Sequence, residues 1–176
     1  MSPTRNMAPS LAPSLLLSMP QLVDPNFNRT VVLLCKHTPA AAFGLVVNRP
    51  LVTTGCDLDV WVGGPVEQER SWILAGDDLY EDSPAVPLAD GLYLSTSPDL
   101  LRRLLEPNPP PNARLIVGYS GWGPGQLEAE LNASAWLIGD VDRDLIFNTP
   151  ADRMWETAIR RLGADPATLQ MSRGVH

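Results

Sequence analysis

The chain has 176 residues and carries 20 acidic against 13 basic groups, a net charge of −7. With 44% hydrophobic residues, that is length and composition for one ordinary folded domain. Its longest near-apolar run, Ala40 to Val47, falls short of a membrane span of about 20 residues, and two cysteines are too few for a disulfide-built scaffold.

Prolines 3, 9 and 13 break up the N-terminus, so residues 1–13 are expected to form a disordered tail without a secretory signal, and residues 14–176 one domain. Ser14 to Met19 reads as a strand ended by Pro20, and Asp24-Pro25-Asn26 as a turn. Thr30 to His37 is β-branched and apolar on both alternating faces, which predicts a central strand buried on both sides. Thr38 to Ala42 is expected to be a loop and Phe43 to Asn48 a returning strand, making a hairpin with a longer connection. Val60-Trp61-Val62 is a short strand stopped by Gly63-Gly64-Pro65. Ser71 to Leu74 and Gly91 to Ser95 are further strands, separated by an acidic, proline-bearing loop from Asp77 to Pro87. Ser97-Pro98-Asp99 has helix-start chemistry, and Leu100, Leu101, Leu104 and Leu105 make its apolar stripe. After a rigid Pro107 to Pro111 connection come a strand from Arg114 to Tyr119, a glycine-rich turn, and a helix over Pro124 to Leu131. Trp136-Leu137-Ile138 fits a strand ambiguously, Asp140 to Asp144 a polar turn, and Leu145-Ile146-Phe147 a short strand. Thr149-Pro150-Ala151-Asp152 opens the last helix, with Thr149 as its cap, Trp155, Ala158, Ile159 and Leu162 at helical spacing, and Gly163 as its stop. Elements that do not alternate strictly favour α+β over a doubly wound sheet.

Charge is uneven. Between Asp57 and Asp90 nine acids stand against the single cation Arg70. Duplex binding needs a basic face, and the tight basic pairs are only Arg102-Arg103 and Arg160-Arg161. Nucleic acid is therefore an unfavoured partner. Two unpatterned cysteines, Cys35 and Cys56, suit reduced thiols in the cytoplasm.

Three places could carry chemistry. Cys35 and His37 project to one strand face about 6.6 Å apart at a rise of about 3.3 Å per residue, so an imidazolium there could stabilise a thiolate. The plainer account makes Cys35 a small buried hydrophobe. Gly118-Tyr119-Ser120-Gly121-Trp122-Gly123-Pro124-Gly125-Gln126 could present backbone amides to an anion. Pro124 lacks an amide, and Glu128 and Glu130 would repel a phosphate, which favours a tight turn with glycines such as Gly121 and Gly123 at positive φ and Trp122 packed as a lid. Asn48-Arg49-Pro50 sets an arginine near Gly63-Gly64-Pro65, where it could bind a carboxylate or phosphate, or hold a loop. No histidine-rich metal set and no Gly-x-Ser-x-Gly elbow is present.

Taken together, Cys35-Lys36-His37, Phe43 to Pro50, Gly63-Gly64-Pro65-Val66 and Gly118 to Glu128 resemble the bacterial YqgE/AlgH family, as does Met19-Pro20 followed by Asp24-Pro25-Asn26-Phe27. The resemblance runs from about Ser14 to the C-terminus. It implies a single α+β domain with a coiled, bifurcated or barrel-like mixed β-sheet flanked by about three helices. It implies no established enzymatic activity, and family members are often labelled transcriptional regulators; no cofactor and no metal are expected from the residues. It also implies one surface lined by Cys35, His37, Asn48, Arg49, Gly63, Gly64, Pro65, Gly121, Trp122, Gly123, Gly125 and Gln126. Ala75 stands where the family tends to have a histidine, and the chain ends Gly174-Val175-His176 where the family often ends Gly-His-Ala. The resulting expectation is a non-catalytic binding or regulatory protein whose partner is a protein or small molecule. The alternatives are a thiol enzyme or redox sensor using Cys35 with His37, and a transcriptional regulator.

Overall fold

A computed structural model describes residues 10–19, 29–51, 60–76, 85–89, 91–106 and 112–168. The Asp24-Pro25-Asn26 turn, Cys56 and most of the acidic 77–87 loop lie outside the described residues. The strands are β1 (Ser14–Ser18), β2 (Val31–Thr38), β3 (Ala41–Val46), β4 (Pro50–Leu51), β5 (Val60–Val62), β6 (Val66–Ala75), β7 (Val86–Ala89), β8 (Leu92–Ser95), β9 (Ala113–Trp122) and β10 (Trp136–Gly139). The helices are α1 (Pro98–Leu104), α2 (Gln126–Asn132), α3 (Arg143–Asn148) and α4 (Ala151–Arg161). They build a curled α+β domain on one mixed sheet with the order β10-β1-β2-β3-β9-β6-β8-β7.

The sheet is bifurcated at β9. One edge of β9 pairs with β6 along residues 113–119. The other edge divides: residues 115–117 pair with β5 in parallel, and residues 120–122 pair with β3 antiparallel. β4 hangs from β5.

β2 is central, as its two apolar faces require. Val31 and Leu33 enter one core with Leu15, Leu45, Trp155 and Ile159, while Val32 and Leu34 enter a second with Leu16, Trp122, Leu127 and Trp136. A third, smaller core lies under α1, where Leu100 and Leu104 meet Ile73 and Leu115. Ser97 caps α1 by accepting from the Leu100 amide.

Several expectations are corrected. The β2–β3 connection is tight, because the Thr38 hydroxyl accepts from the Ala40 and Ala41 amides and lets β3 begin at Ala41. Val86 and Pro87 belong to β7, not to a loop. Leu145-Ile146-Phe147 is helical: the Asp142 carboxylate accepts from the Leu145 amide and caps α3, and a three-residue apolar run has no period to tell strand from helix. Thr149 does not cap α4. It closes α3, and Pro150 holds the α4 N-cap without a side-chain bond. α2 begins at Gln126 rather than Pro124, since β9 continues through Trp122. Residues expected in the N-terminal tail touch the sheet, with Leu11 and Ala12 packed against the second core.

Candidate functional site

The fork in the sheet brings the signature glycines together. The Gly63 amide donates to the Val117 carbonyl, and the Gly63 carbonyl accepts from the Val46 amide and the Ser120 hydroxyl. A Cβ at Gly63 would lie 2.6 Å from the Gly118 carbonyl oxygen, and one at Gly64 would lie 2.2 Å from the Tyr119 backbone. These positions are glycine because two backbones cross at contact distance. Gly118 adds a φ of +75°. Gly63 and Gly64 therefore form the crotch of the fork.

Beside that crotch is a cavity of about 300 Å³ lined by Val46, Arg49, Pro50, Val62, Gly64, Pro65 and Gln68. Two distant sequence blocks, Asn48-Arg49-Pro50 and Gly63-Gly64-Pro65, meet here because the Arg49 carbonyl accepts from the Val62 amide. Asn48 is buried and structural: its Oδ1 accepts from the Val31 amide and its Nδ2 donates to the Arg29 carbonyl. Arg49 donates from Nη2 to the Thr30 hydroxyl at 2.9 Å. Partial burial lowers the Arg49 pKa from its ordinary value, yet guanidinium stays charged at neutral pH. A second cavity of about 230 Å³ shares Arg49 and is lined also by Arg29, Asn48, Ala151, Asp152 and Trp155. Gln68 is the polar lining residue the sequence did not suggest, beside the apolar Val46, Pro50 and Val62. It lies in a polar run, Glu67 to Arg70, that gives no strand signal although β6 passes through it.

Cys35 and His37 do not share a face. The β2–β3 register shifts between Leu34 and Lys36, so Cys35 is the extra residue of a β-bulge. Beyond it His37 pairs with Ala42, which belongs to the second core, while Cys35 packs against the first. The strand alternation that would align them is broken between them. Burial pushes the Cys35 thiol from 9.0 up to about 12, and its sulfur donates to the Leu33 carbonyl at 3.4 Å. His37 instead clamps two elements. Its Nδ1 accepts from the Leu11 amide at 3.1 Å, and its Nε2 lies 3.3 Å from Glu128 Oε2.

The segment from Gly121 to Gln126 lies outside the lining of the Arg49 cavity. Positive φ falls at Gly118 and Gly125, and not at Gly121 or Gly123. Trp122 is no lid. It is 5% exposed in the second core, edge-on to Trp136 at 6.1 Å between ring centroids. Both indole N–H groups donate to Glu130 Oε1 at 2.9 Å. Gln126 Oε1 accepts from the Gly123 amide, and Gln126 Nε2 donates to Glu130 Oε2. Gly125 takes the left-handed conformation at the α2 N-cap. Among the described residues no cluster of three or more His, Cys, Asp or Glu could hold a metal, and no helix is long and apolar enough to cross a membrane.

Fold and site thus define a class: a single α+β domain on a forked, curled sheet, with an arginine-bearing cleft where the fork opens. The chain belongs to the AlgH-like family, whose model matches residues 15–167. It is 40% identical to a UPF0301 protein of Myxococcus xanthus, over 95% of this chain and 99% of that protein. It is 37% identical to a UPF0301 protein of Ruegeria pomeroyi, over 93% of this chain and 98% of that one. Its structure matches the solution structure of the AlgH protein from Pseudomonas aeruginosa with a TM-score of 0.73 and 33% identity, covering 96% and 95% of the two chains. A Corynebacterium diphtheriae protein at 21% identity and a TM-score of 0.69, covering 93% of this chain and 91% of that one, shares the fold. The family's function is unestablished.

Proposed function

We propose that this protein is a non-catalytic binding protein of the cytoplasm, and that its cleft between Asn48-Arg49-Pro50 and Gly63-Gly64-Pro65 takes a small ligand bearing a carboxylate or phosphate. The observation that carries this reading is the half-buried Arg49 guanidinium lining a cavity of about 300 Å³ between those two blocks. A planar guanidinium matches an oxyanion through paired N–H donors. Gln68 adds a neutral polar group, and Val46, Val62, Pro50 and Pro65 supply apolar walls for the rest of the ligand. No bond-making step is assigned, because the thiol and the imidazole lie on opposite faces of the sheet and the thiol is held protonated. The free Cys35 thiol agrees with a reducing compartment.

The test is thermal unfolding with inorganic phosphate, acetate, succinate and O-phosphoserine, each at about 10 mM. A ligand at about 100 times its Kd stabilises by about 2.7 kcal/mol, an easily read rise in Tm. At least one oxyanion is expected to raise the Tm of the wild type, with the rise lost in Arg49→Lys, which keeps the charge but not the fork of donors. An unchanged rise in Arg49→Lys, or no rise with any member of the panel, overturns the reading.

A further inference from the structure

A cavity of about 540 Å³ lies among β1, β10, α3 and α4, and it shares no lining residue with the Arg49 cleft. Its floor is apolar. Leu15 and Leu17, two apart on β1, turn to one face. Leu145 comes from the first turn of α3 and Ala158 from α4, and all four are buried in the first core. Gly139 of β10 has no side chain to close the space, and a Cβ there would lie 3.6 Å from Leu162. Leu162 itself is 43% exposed at the lip. Apolar walls under an open mouth, in the range of about 300–1,000 Å³, are the usual form of a small-molecule site.

The mouth is crossed by Asp140-Val141-Asp142-Arg143-Asp144, and Arg161 of α4 also lines it. Most of these charges are already engaged. Asp142 accepts from the Leu145 amide through Oδ1 and pairs with Arg161 through Oδ2. Asp144 lies 3.8 Å from the other Arg161 nitrogen and accepts from Asn148. Arg143 is laid on Gly76, just past β6, with Nη2 2.8 Å from where a Cβ of Gly76 would be, and Gly76 is not part of the lining. Asp140 differs. It is exposed, and among the described residues no hydrogen bond or ion pair engages its carboxylate.

We propose that this cavity binds a small organic amine. The ammonium group sits at Asp140, and the aliphatic or aromatic body lies on the floor made by Leu15, Leu17 and Leu145. Charge complementarity selects this occupant. The charge at the mouth that the fold leaves uncommitted is negative, and the whole chain carries −7, so a cation is drawn in and an anion repelled. The apolar floor supplies most of the affinity, and the ion pair sets which end of the ligand faces out. A cavity of this size takes a whole small molecule rather than one lysine side chain. This site is independent of the oxyanion reading of the Arg49 cleft and opposite to it in charge.

The probes are n-hexylamine and 2-phenylethylamine at pH 7, followed through the NMR shifts of the Gly139, Val141 and Leu145 amides. Hexan-1-ol and hexanoate carry the same chain with no charge and with the opposite charge, and Nα-acetyl-lysine methylamide stands for a lysine of a protein. Expected is saturable binding of at least one amine with a Kd at or below about 1 mM. Hexan-1-ol should bind about threefold more weakly than hexylamine, the scale of an exposed ion pair, and hexanoate at least about tenfold more weakly. Asp140→Asn should weaken the amines about threefold and Asp140→Lys about tenfold. Gly139→Leu, which fills the cavity, should abolish binding of amine and alcohol alike. Should Gly139→Leu fail to fold, Asp140→Lys and the alcohol decide. No amine binding up to about 10 mM, hexan-1-ol or hexanoate binding as tightly as hexylamine, indifference to Asp140→Lys, or the lysine derivative binding as tightly as hexylamine would each overturn the proposal.

Discussion

Cys35 is held by a bulge, and the bulge decides its chemistry. A regular strand would bring its sulfur and the His37 imidazole to one face. One inserted residue turns them to opposite faces, and desolvation raises the thiol to about 12. Alkylation of native Cys35 is therefore expected to be slow, with no inflection near neutral pH and no change in His37→Ala. Rapid labelling that His37→Ala abolishes would restore the thiol-chemistry reading. The same shift makes a stability prediction. The unfolded thiol loses its proton near pH 9 while the folded one keeps it until about 12, so the folded state binds more protons between those values. Cys35 then contributes stability that is fully present below pH 9 and is lost as pH rises toward 12. Urea melts across that range should show a shallower alkaline decline for Cys35→Ala than for the wild type. Gly118 is demanding on two counts, with φ of +75° and the Gly64 carbonyl 2.6 Å from a would-be Cβ. Gly118→Ala is expected to cost about 2–3 kcal/mol. Gly121→Ala, whose Cβ would meet only the Tyr119 ring at 3.4 Å, should cost about 0.5 kcal/mol or less; equal costs in urea melts would contradict the fork geometry.

α2 shows what an element needs beyond propensity. It is seven residues long and lacks a side-chain N-cap bond from Gly125, too short to persist alone. It is held by Leu127, buried in the second core, and by Glu130, which gathers the Trp122, Trp136 and Gln126 donors and so binds α2 to β9 and β10. Glu130→Ala leaves two indole N–H groups without their acceptor and is expected to cost about 2–4 kcal/mol. Glu130→Gln keeps one acceptor oxygen and should cost less than half of that; equal losses would mean the carboxylate acts by charge rather than by acceptance. A second clamp joins the chain's early residues to this helix through His37, Leu11 and Glu128. In His37→Ala the Leu11 amide is expected to exchange faster with solvent while the β2 amides at Val32 to Leu34 hold their protection. Uniform loosening of both would make His37 a general core residue instead.

At the scale of the molecule, charge and topology act together. Three of the four arginines in the tight basic pairs have a carboxylate at hand, with Arg102 beside Asp99, Arg160 beside Glu156 and Arg161 beside Asp142. Combined with a net charge of −7, this leaves a weak electrostatic footprint for a duplex. Titration of labelled duplex DNA at about 0.15 M salt is expected to give no sequence-dependent binding tighter than about 10⁻⁶ M; nanomolar, sequence-dependent binding would revive the regulator reading. The β4–β5 pairing places Arg49 against Gly64 and Pro65, and Gln68 of β6 joins them only once β5 and β6 have both closed on β9.

The residues alone determined the central strand β2, the Ser97 cap, the α4 stripe through Trp155, Ala158 and Ile159, and the family resemblance. Each rests on a local pattern: β-branched runs, cap chemistry, 3.6-residue spacing, or a string of glycines and prolines in order. Only the tertiary structure decided the rest. The Cys35 bulge arises from how β3 meets β2, and no pattern within β2 announces it. Leu145-Ile146-Phe147 became helical through a cap three residues before Leu145 and a core on α4. Gly63 and Gly64 read as a turn, yet their constraint is the backbone of β9, more than fifty residues away. Arg49 and Gln68 line one cavity because a parallel β5 wedges between β3 and β9, and such long-range pairing leaves no trace in local sequence.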